Sequence, residues 1–167
     1  MLTRAELVRG LAAGLAGTAA MTAGLKLEQA LRQHADGPVD YDASQHVVTA
    51  AATLLRDNPR SPLARKGLYW LVHWGYGSAV GIGFTLLRRV NRGGEDRRDV
   101  AATGQFYAGC QAMALTLFPT LGGTPPPWRW RKDMLVSSLA QHALYAVTVA
   151  TVARGLAARS PVADELR

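Results

Sequence analysis

The segment Gly67 to Leu87, GLYWLVHWGYGSAVGIGFTLL, runs for 21 residues without an Asp, Glu, Lys or Arg. As a helix rising 1.5 Å per residue it covers about 30 Å, the thickness of a bilayer's hydrocarbon core. Three more windows are free of charge: Gly10–Leu25 (16 residues), Val100–Trp128 (29) and Met134–Ala153 (20). Charged residues make up 19% of the 167-residue chain. At that frequency a given 20-residue window is uncharged by chance only about one or two times in a hundred, so four of them point to membrane spans. They argue against a small soluble enzyme and against an intrinsically disordered chain.

The net charge of +7 would suggest nucleic-acid binding in a soluble domain. Here the basic residues flank the apolar windows, where Lys and Arg meet phospholipid headgroups. The bilayer is the expected partner, and nucleic acid is not. Cys110 is the single cysteine and lies within an apolar window, so neither an intrachain disulfide nor a cysteine-based metal site can form.

The sequence predicts an all-α integral membrane four-helix bundle with spans at about 7–31, 62–91, 99–118 and 133–158. The polar connection 32–61 should carry a short amphipathic helix. The first window follows Arg4 and Arg9 and raises the possibility of a cleaved signal peptide. Glu6 and the lack of a clean A-x-A site favour a retained helix instead, extended to about Leu31 because 16 residues span only about 24 Å. Within the connection, Val47, Val48, Ala51, Leu54 and Leu55 share a helical face, with Ser44 as cap and Asn58-Pro59 as stop. That face can lie on the bilayer or pack on protein. Ser61-Pro62 opens the second span, Asp96 or Asp99 caps the third, and Pro119 ends it after Phe118. Asp133 caps the fourth, which stops near Ser160-Pro161.

Four spans place both termini on one side. Ten Lys and Arg fall on that side and nine on the other, but five of the ten crowd into the short turn 88–98. The positive-inside rule therefore favours both termini inside a bacterial cytoplasmic membrane.

Between lipid-exposed helices, association depends on close backbone packing and interhelical hydrogen bonds. Gly10-x-x-x-Gly14, Ala13-x-x-x-Gly17, Gly77-x-x-x-Gly81 and Gly104-x-x-x-Ala108-x-x-x-Ala112 supply small-residue ridges on three helices. Tyr69, His73, Gly77 and Gly81 share one face. Counting rise per residue, Thr18, His73, Gln111 and His142 lie about 9 to 13 Å inside the apolar region, with Tyr145 close by. They can form a single polar layer. Such a layer reads either as a proton-responsive site or as a neutral hydrogen-bonded knot, and the lack of an intramembrane carboxylate favours the knot. At the interface, Glu28, Trp128, Arg129, Trp130 and Lys132 form a candidate anchoring cluster, with an ion pair from Glu28 to Arg129 or Lys132. Two histidines without cysteine or carboxylate make half a metal site at best, and no phosphate-binding loop is present. No metal, cofactor or catalytic set is expected.

Gly14-Leu-Ala-Gly-Thr-Ala-Ala-Met-Thr22 with Glu28, His73-Trp74 with Gly77 and Gly81, Pro126-Pro-Trp-Arg-Trp130, and His142 with Tyr145 run through most of the chain. In these motifs it resembles small bacterial four-helix membrane proteins related to the YagU-like inner-membrane family. Relatives often carry a lysine after the fourth-helix histidine, where this chain has Ala143. The resemblance implies four spans, an inner-membrane location and, for the family's namesake, a link to acid tolerance. It implies no catalytic activity. The expected role is an accessory or structural subunit that binds a membrane protein partner or itself. The alternatives are a small transporter or proton-responsive channel using His73 and His142, and a lipid- or quinone-directed enzyme with a pocket beside Trp128 and Glu28.

Overall fold

A computed structural model describes residues 2–32 and 43–159. Five α-helices follow one another: α1 (Arg4–Arg32), α2 (Ala43–Leu55), α3 (Pro62–Val90), α4 (Glu95–Leu121) and α5 (Lys132–Ala158). A single 3-10 turn, Pro127–Arg129, precedes α5, and no strand occurs among the described residues. Among the described residues one helix, α5, is long and apolar enough by length and composition to cross a membrane.

The helix ends follow local chemistry. Before α1, the Thr3 hydroxyl accepts from the Glu6 N–H at 3.2 Å, while the Glu6 carboxylate accepts from the Thr3 N–H at 2.7 Å. This reciprocal pair satisfies two donors that a helix start leaves open. The bond from the Thr3 N–H, supported by the Thr3 hydroxyl and by Arg89, holds the Glu6 carboxyl below the usual carboxylate range. Its folded pKa is thus lower than its unfolded one. The stabilisation is therefore present above the unfolded value and is lost as pH falls through the folded value. In an NMR titration the Thr3 amide should shift with a midpoint below that of an unstructured glutamate peptide, and Glu6→Gln should abolish the response. A midpoint equal to the peptide's would remove the linkage.

Ser61 caps α3 by accepting from the Ala64 N–H at 3.1 Å, with Pro62 at the first helical position. Other boundaries differ from the sequence reading. α4 starts at Glu95 after Gly94, so Asp96 lies in its first turn and Asp99 further inside. Pro119 does not stop α4, which continues to Leu121. A proline removes only its own N–H, and the Gly122 N–H closes the turn on the Phe118 carbonyl at 2.9 Å. α5 begins at Lys132 after Arg131, which leaves Asp133 in the first turn rather than at the cap. α2 ends before Asn58: Arg56 adopts a left-handed φ of 54°, and the Asp57 N–H reaches the Ala52 carbonyl at 3.1 Å. That is the helix end glycine usually makes. The expected stop at Ser160-Pro161 lies outside the described residues.

α1 packs on α3 and α5, and α4 closes the ring by packing on the same two helices. The α1–α3 contact is nearly backbone to backbone. A Cβ on Gly14 would meet the Ser78 and Gly77 carbonyl oxygens at 2.5 and 2.6 Å, and one on Gly10 would meet Ile82 Cα at 2.8 Å. Phe84 stacks edge-on against Phe106, which lies parallel to Tyr145, and Val149 and Ala13 complete the centre. On α4 the small residues Gly104, Ala108 and Ala112 face outward, with open space beside Gly104. As a small-residue ridge they are expected at a close helix contact. Ala102, Phe106 and Cys110 hold the inner side instead, because positions two apart on a helix lie about 200° apart.

α2 packs on α3 and α4 through Val48 and Ala51, which are buried, while Leu54 and Leu55 remain exposed. His46 Nδ1 donates to the Gly122 carbonyl at 2.7 Å and the Thr53 hydroxyl to the Leu121 carbonyl at 3.3 Å. This helix therefore seals the α4 end of the bundle.

Candidate functional site

The polar side chains inside the ring form separate groups. The first surrounds Gly77 of α3. Thr18 of α1 occupies the space a Gly77 side chain would take, and its hydroxyl donates to the Gly14 carbonyl at 2.9 Å. Tyr145 of α5 donates to the Gly77 carbonyl at 2.5 Å. Three helices thus meet at a residue that lacks a side chain.

One turn away, Thr22 and His73 bond at 2.8 Å. The Thr22 hydroxyl already donates its one proton to the Thr18 carbonyl at 2.7 Å. His73 Nε2 must therefore be the donor to Thr22. Tyr69 stacks on this ring with centroids 5.3 Å apart, and Trp70 and Trp74 approach it edge-on.

The other histidine is arranged in the opposite way. His142 Nδ1 faces the Ser138 carbonyl at 2.7 Å, and because a carbonyl only accepts, Nδ1 carries the proton. The Gln111 amide of α4 donates to the Ser138 hydroxyl at 3.2 Å, which ties Gln111 and His142 to a shared residue. Gln111 Oε1 is buried without a hydrogen-bond partner. The expected single layer is therefore split. Thr18 and Tyr145, with His73 a turn away, lie along α1, α3 and α5. Gln111 and His142 lie between α4 and α5. Among the described residues no hydrogen bond joins the two histidines.

The interfacial cluster is also divided. Glu28 pairs with Arg32, four residues on along α1, at 3.1 Å, and not with Arg129 or Lys132. A neighbour one helical turn away needs no loop to position it. The second Glu28 oxygen accepts from the Ser137 hydroxyl at 2.6 Å and the Gln141 amide at 3.2 Å, both on α5. Trp130 donates its indole N–H to the Pro125 carbonyl at 2.7 Å, Trp128 is 83% exposed, Arg129 ends the 3-10 turn and Lys132 begins α5.

One charged group is not foreseen from sequence. Asp99 of α4 is 4% exposed and is bonded by Arg88 of α3, with Arg154 of α5 at 3.8 Å. Glu95 also approaches Arg88, at 3.6 Å. The signal was the spacing Asp99, Ala102, Phe106, Cys110, which puts the carboxylate on the buried face of α4. Among the described residues no group of three His, Cys, Asp or Glu side chains is placed to hold a metal ion. No protein-family model, curated protein or solved structure matches this chain.

Proposed function

We propose that the chain is a four-helix integral protein of the bacterial cytoplasmic membrane, with both termini inside. In this reading it acts by binding, as an accessory or structural subunit or as a homo-oligomer. The observation that carries the reading is where the charges converge. Arg88, Asp99 and Arg154 are each the first charged residue beyond an uncharged window, and all three belong to one ion cluster. At the opposite end Glu28, three residues beyond the first window, bonds Ser137, three residues inside the fourth. At the Arg88 end three uncharged windows thus stop at one level, as the edge of a hydrocarbon slab requires.

The outer faces support the same reading. Leu71 on α3, Val100 on α4 and Val147 on α5 are each more than half exposed. Water disfavours so wide an apolar exterior, and lipid does not. A binding role is favoured over transport because each histidine is tied into a local helix-packing bond and the two are not joined to each other. The resemblance to YagU-like proteins agrees with this architecture.

Two measurements test the proposal. The expressed chain should float with vesicles and resist an alkaline wash. In a Cys110→Ser background, a cysteine at Gly94 should be shielded from an impermeant thiol reagent in intact cells, and one at Trp128 should be labelled. Release into the aqueous fraction would overturn the membrane assignment, and the reverse labelling would overturn the orientation.

A further inference from the structure

The outer seam between α3 and α4 is tied at both ends and open in the middle. At one end the Asn91 amide donates to Gln105 Oε1 at 2.9 Å, and at the other the Tyr76 hydroxyl donates to Met113 Sδ at 3.1 Å. Gly83 lies near midway between Tyr76 and Asn91 on α3, and Gly109 midway between Gln105 and Met113 on α4. A Cβ on either glycine would meet nothing within 4 Å. Arg98, Gln105 and Gly109 follow at i, i+7 and i+11, so all three lie on the side of α4 from which Gln105 reaches α3.

Two observations restrict the occupant. Gln105 is exposed although it lies inside the uncharged window that opens at Val100. Its amide carries two N–H donors, and one acceptor reaches them among the described residues, Asn91 Oδ1 at 3.5 Å. A surface in contact with hydrocarbon offers no water for the second, so an acceptor there must come from a lipid. The other observation is charge. The start of α1, the stretch 88–99 and the last two turns of α5 carry nine arginines and four carboxylates among the described residues. Glu6, Glu95 and Asp99 are paired with Arg89, Arg88 and Arg154. Asp96 lies two positions from Arg98 and so about 200° round the helix. Arg92, Arg97 and Arg98 form no ion pair among the described residues. A zwitterionic head would bring an ammonium to a place where the nearby carboxylates are taken, whereas an anionic phosphodiester brings only the charge that is missing.

We infer that the α3–α4 seam binds an anionic glycerophospholipid. Its phosphate lies at Arg98, an ester carbonyl accepts the second Gln105 N–H, and an acyl chain runs inward past Gly83 and Gly109 toward Tyr76. Phosphate, ester and hydrocarbon follow one another with depth in a bilayer, and α4 presents Arg98, Gln105 and Gly109 in that order. The inference rests on the membrane reading, in which Arg98 stands at headgroup level and the helix enters hydrocarbon from Val100 onward.

The test is a native mass-spectrometric lipid titration of the full chain in mild detergent. The probes are phosphatidylglycerol, phosphatidylethanolamine and phosphatidylcholine with matched chains, and an ether-linked phosphatidylglycerol that lacks ester carbonyls. Phosphatidylglycerol should bind roughly fivefold more tightly than either zwitterion, the factor that one basic residue contributes at a lipid surface. Arg98→Gln should erase that preference. Arg159→Gln removes the same charge from the same end of the bundle and should leave it in place. Ester-linked phosphatidylglycerol should bind more tightly than the ether form, and Gln105→Leu should bring the two together. Gly109→Leu, which fills the seam at an open position, should weaken binding of all the lipids and leave helix content unchanged. A preference that survives Arg98→Gln, an equal loss in both arginine variants, or equal binding of the ester and ether forms overturns the site. Vesicle flotation of the same preparation separates the two levels. A chain that floats but shows no preference keeps the membrane reading and loses this one, and a chain that does not float loses both.

Discussion

Gly81→Ala is expected to disrupt the bundle, while Gly83→Ala, two residues along the same helix, should be harmless. A Cβ at Gly81 would collide with the Gly10 carbonyl oxygen and would lie 2.6 Å from both Gly14 Cα and Gly14 N. These are backbone atoms of α1, so no rotamer change relieves the clash and the helices must separate. Overpacking of this kind costs roughly 1–3 kcal/mol and more where the neighbour is rigid. At Gly83 nothing lies within 4 Å. There only the backbone preference acts, and alanine should stabilise by up to about 1 kcal/mol. Thermal melting of both variants in one mild detergent measures the difference. Coincident midpoints would mean that α1 and α3 are not in backbone contact.

The second large effect is expected at Asp99. Asp99→Ala removes the carboxylate from between Arg88 and Arg154 and leaves the Arg88 guanidinium, whose side chain is 19% exposed, without its main counter-charge. Breaking a buried pair from one side typically costs about 3–5 kcal/mol. The lower end applies here, because Glu95 at 3.6 Å offers Arg88 a weak substitute from a side chain that is 75% exposed. The double variant Arg88→Met with Asp99→Leu should recover most of the loss, since the charges it leaves, Arg154 and Glu95, are at least half exposed and can be hydrated. Denaturant unfolding of the two single variants and the double variant tests this. A double variant as unstable as Asp99→Ala would show that the cluster contributes something other than charge balance.

How far the sequence could be read follows from the range over which each feature acts. The long helices α1, α3, α4 and α5 are legible because an uncharged run is a property of consecutive residues. So is the start of α3, where Ser61 and Pro62 act within one turn. The end of α4 is not legible from Pro119, because a proline forbids one hydrogen bond and not a whole turn. Pairing is a different matter. Small-residue spacing at Gly10 and Gly14 and at Gly104 and Ala108 looks alike in one dimension, yet the first pair touches α3 and the second faces outward. The α5 partners of Glu28 lie 109 and 113 residues away, and no local pattern encodes them. Of the candidate polar residues, the sequence gives depth but not neighbours. Thr22, which receives His73, lies 51 residues away on another helix and has no local signal, whereas Ser138, which receives His142, is four residues back along the same helix.

The meeting at Gly77 bears on the order in which the chain can assemble. α1 and α3 are made early, and their glycine surfaces allow them to associate, but the hydroxyl that reaches Gly77 belongs to Tyr145 on the last helix. α1 also packs along α5. A ribosome must therefore translate α5 before α1 acquires its second neighbour. A nascent polypeptide halted after α4 would hold a loosely closed hairpin, with Thr18 in place and its keystone missing.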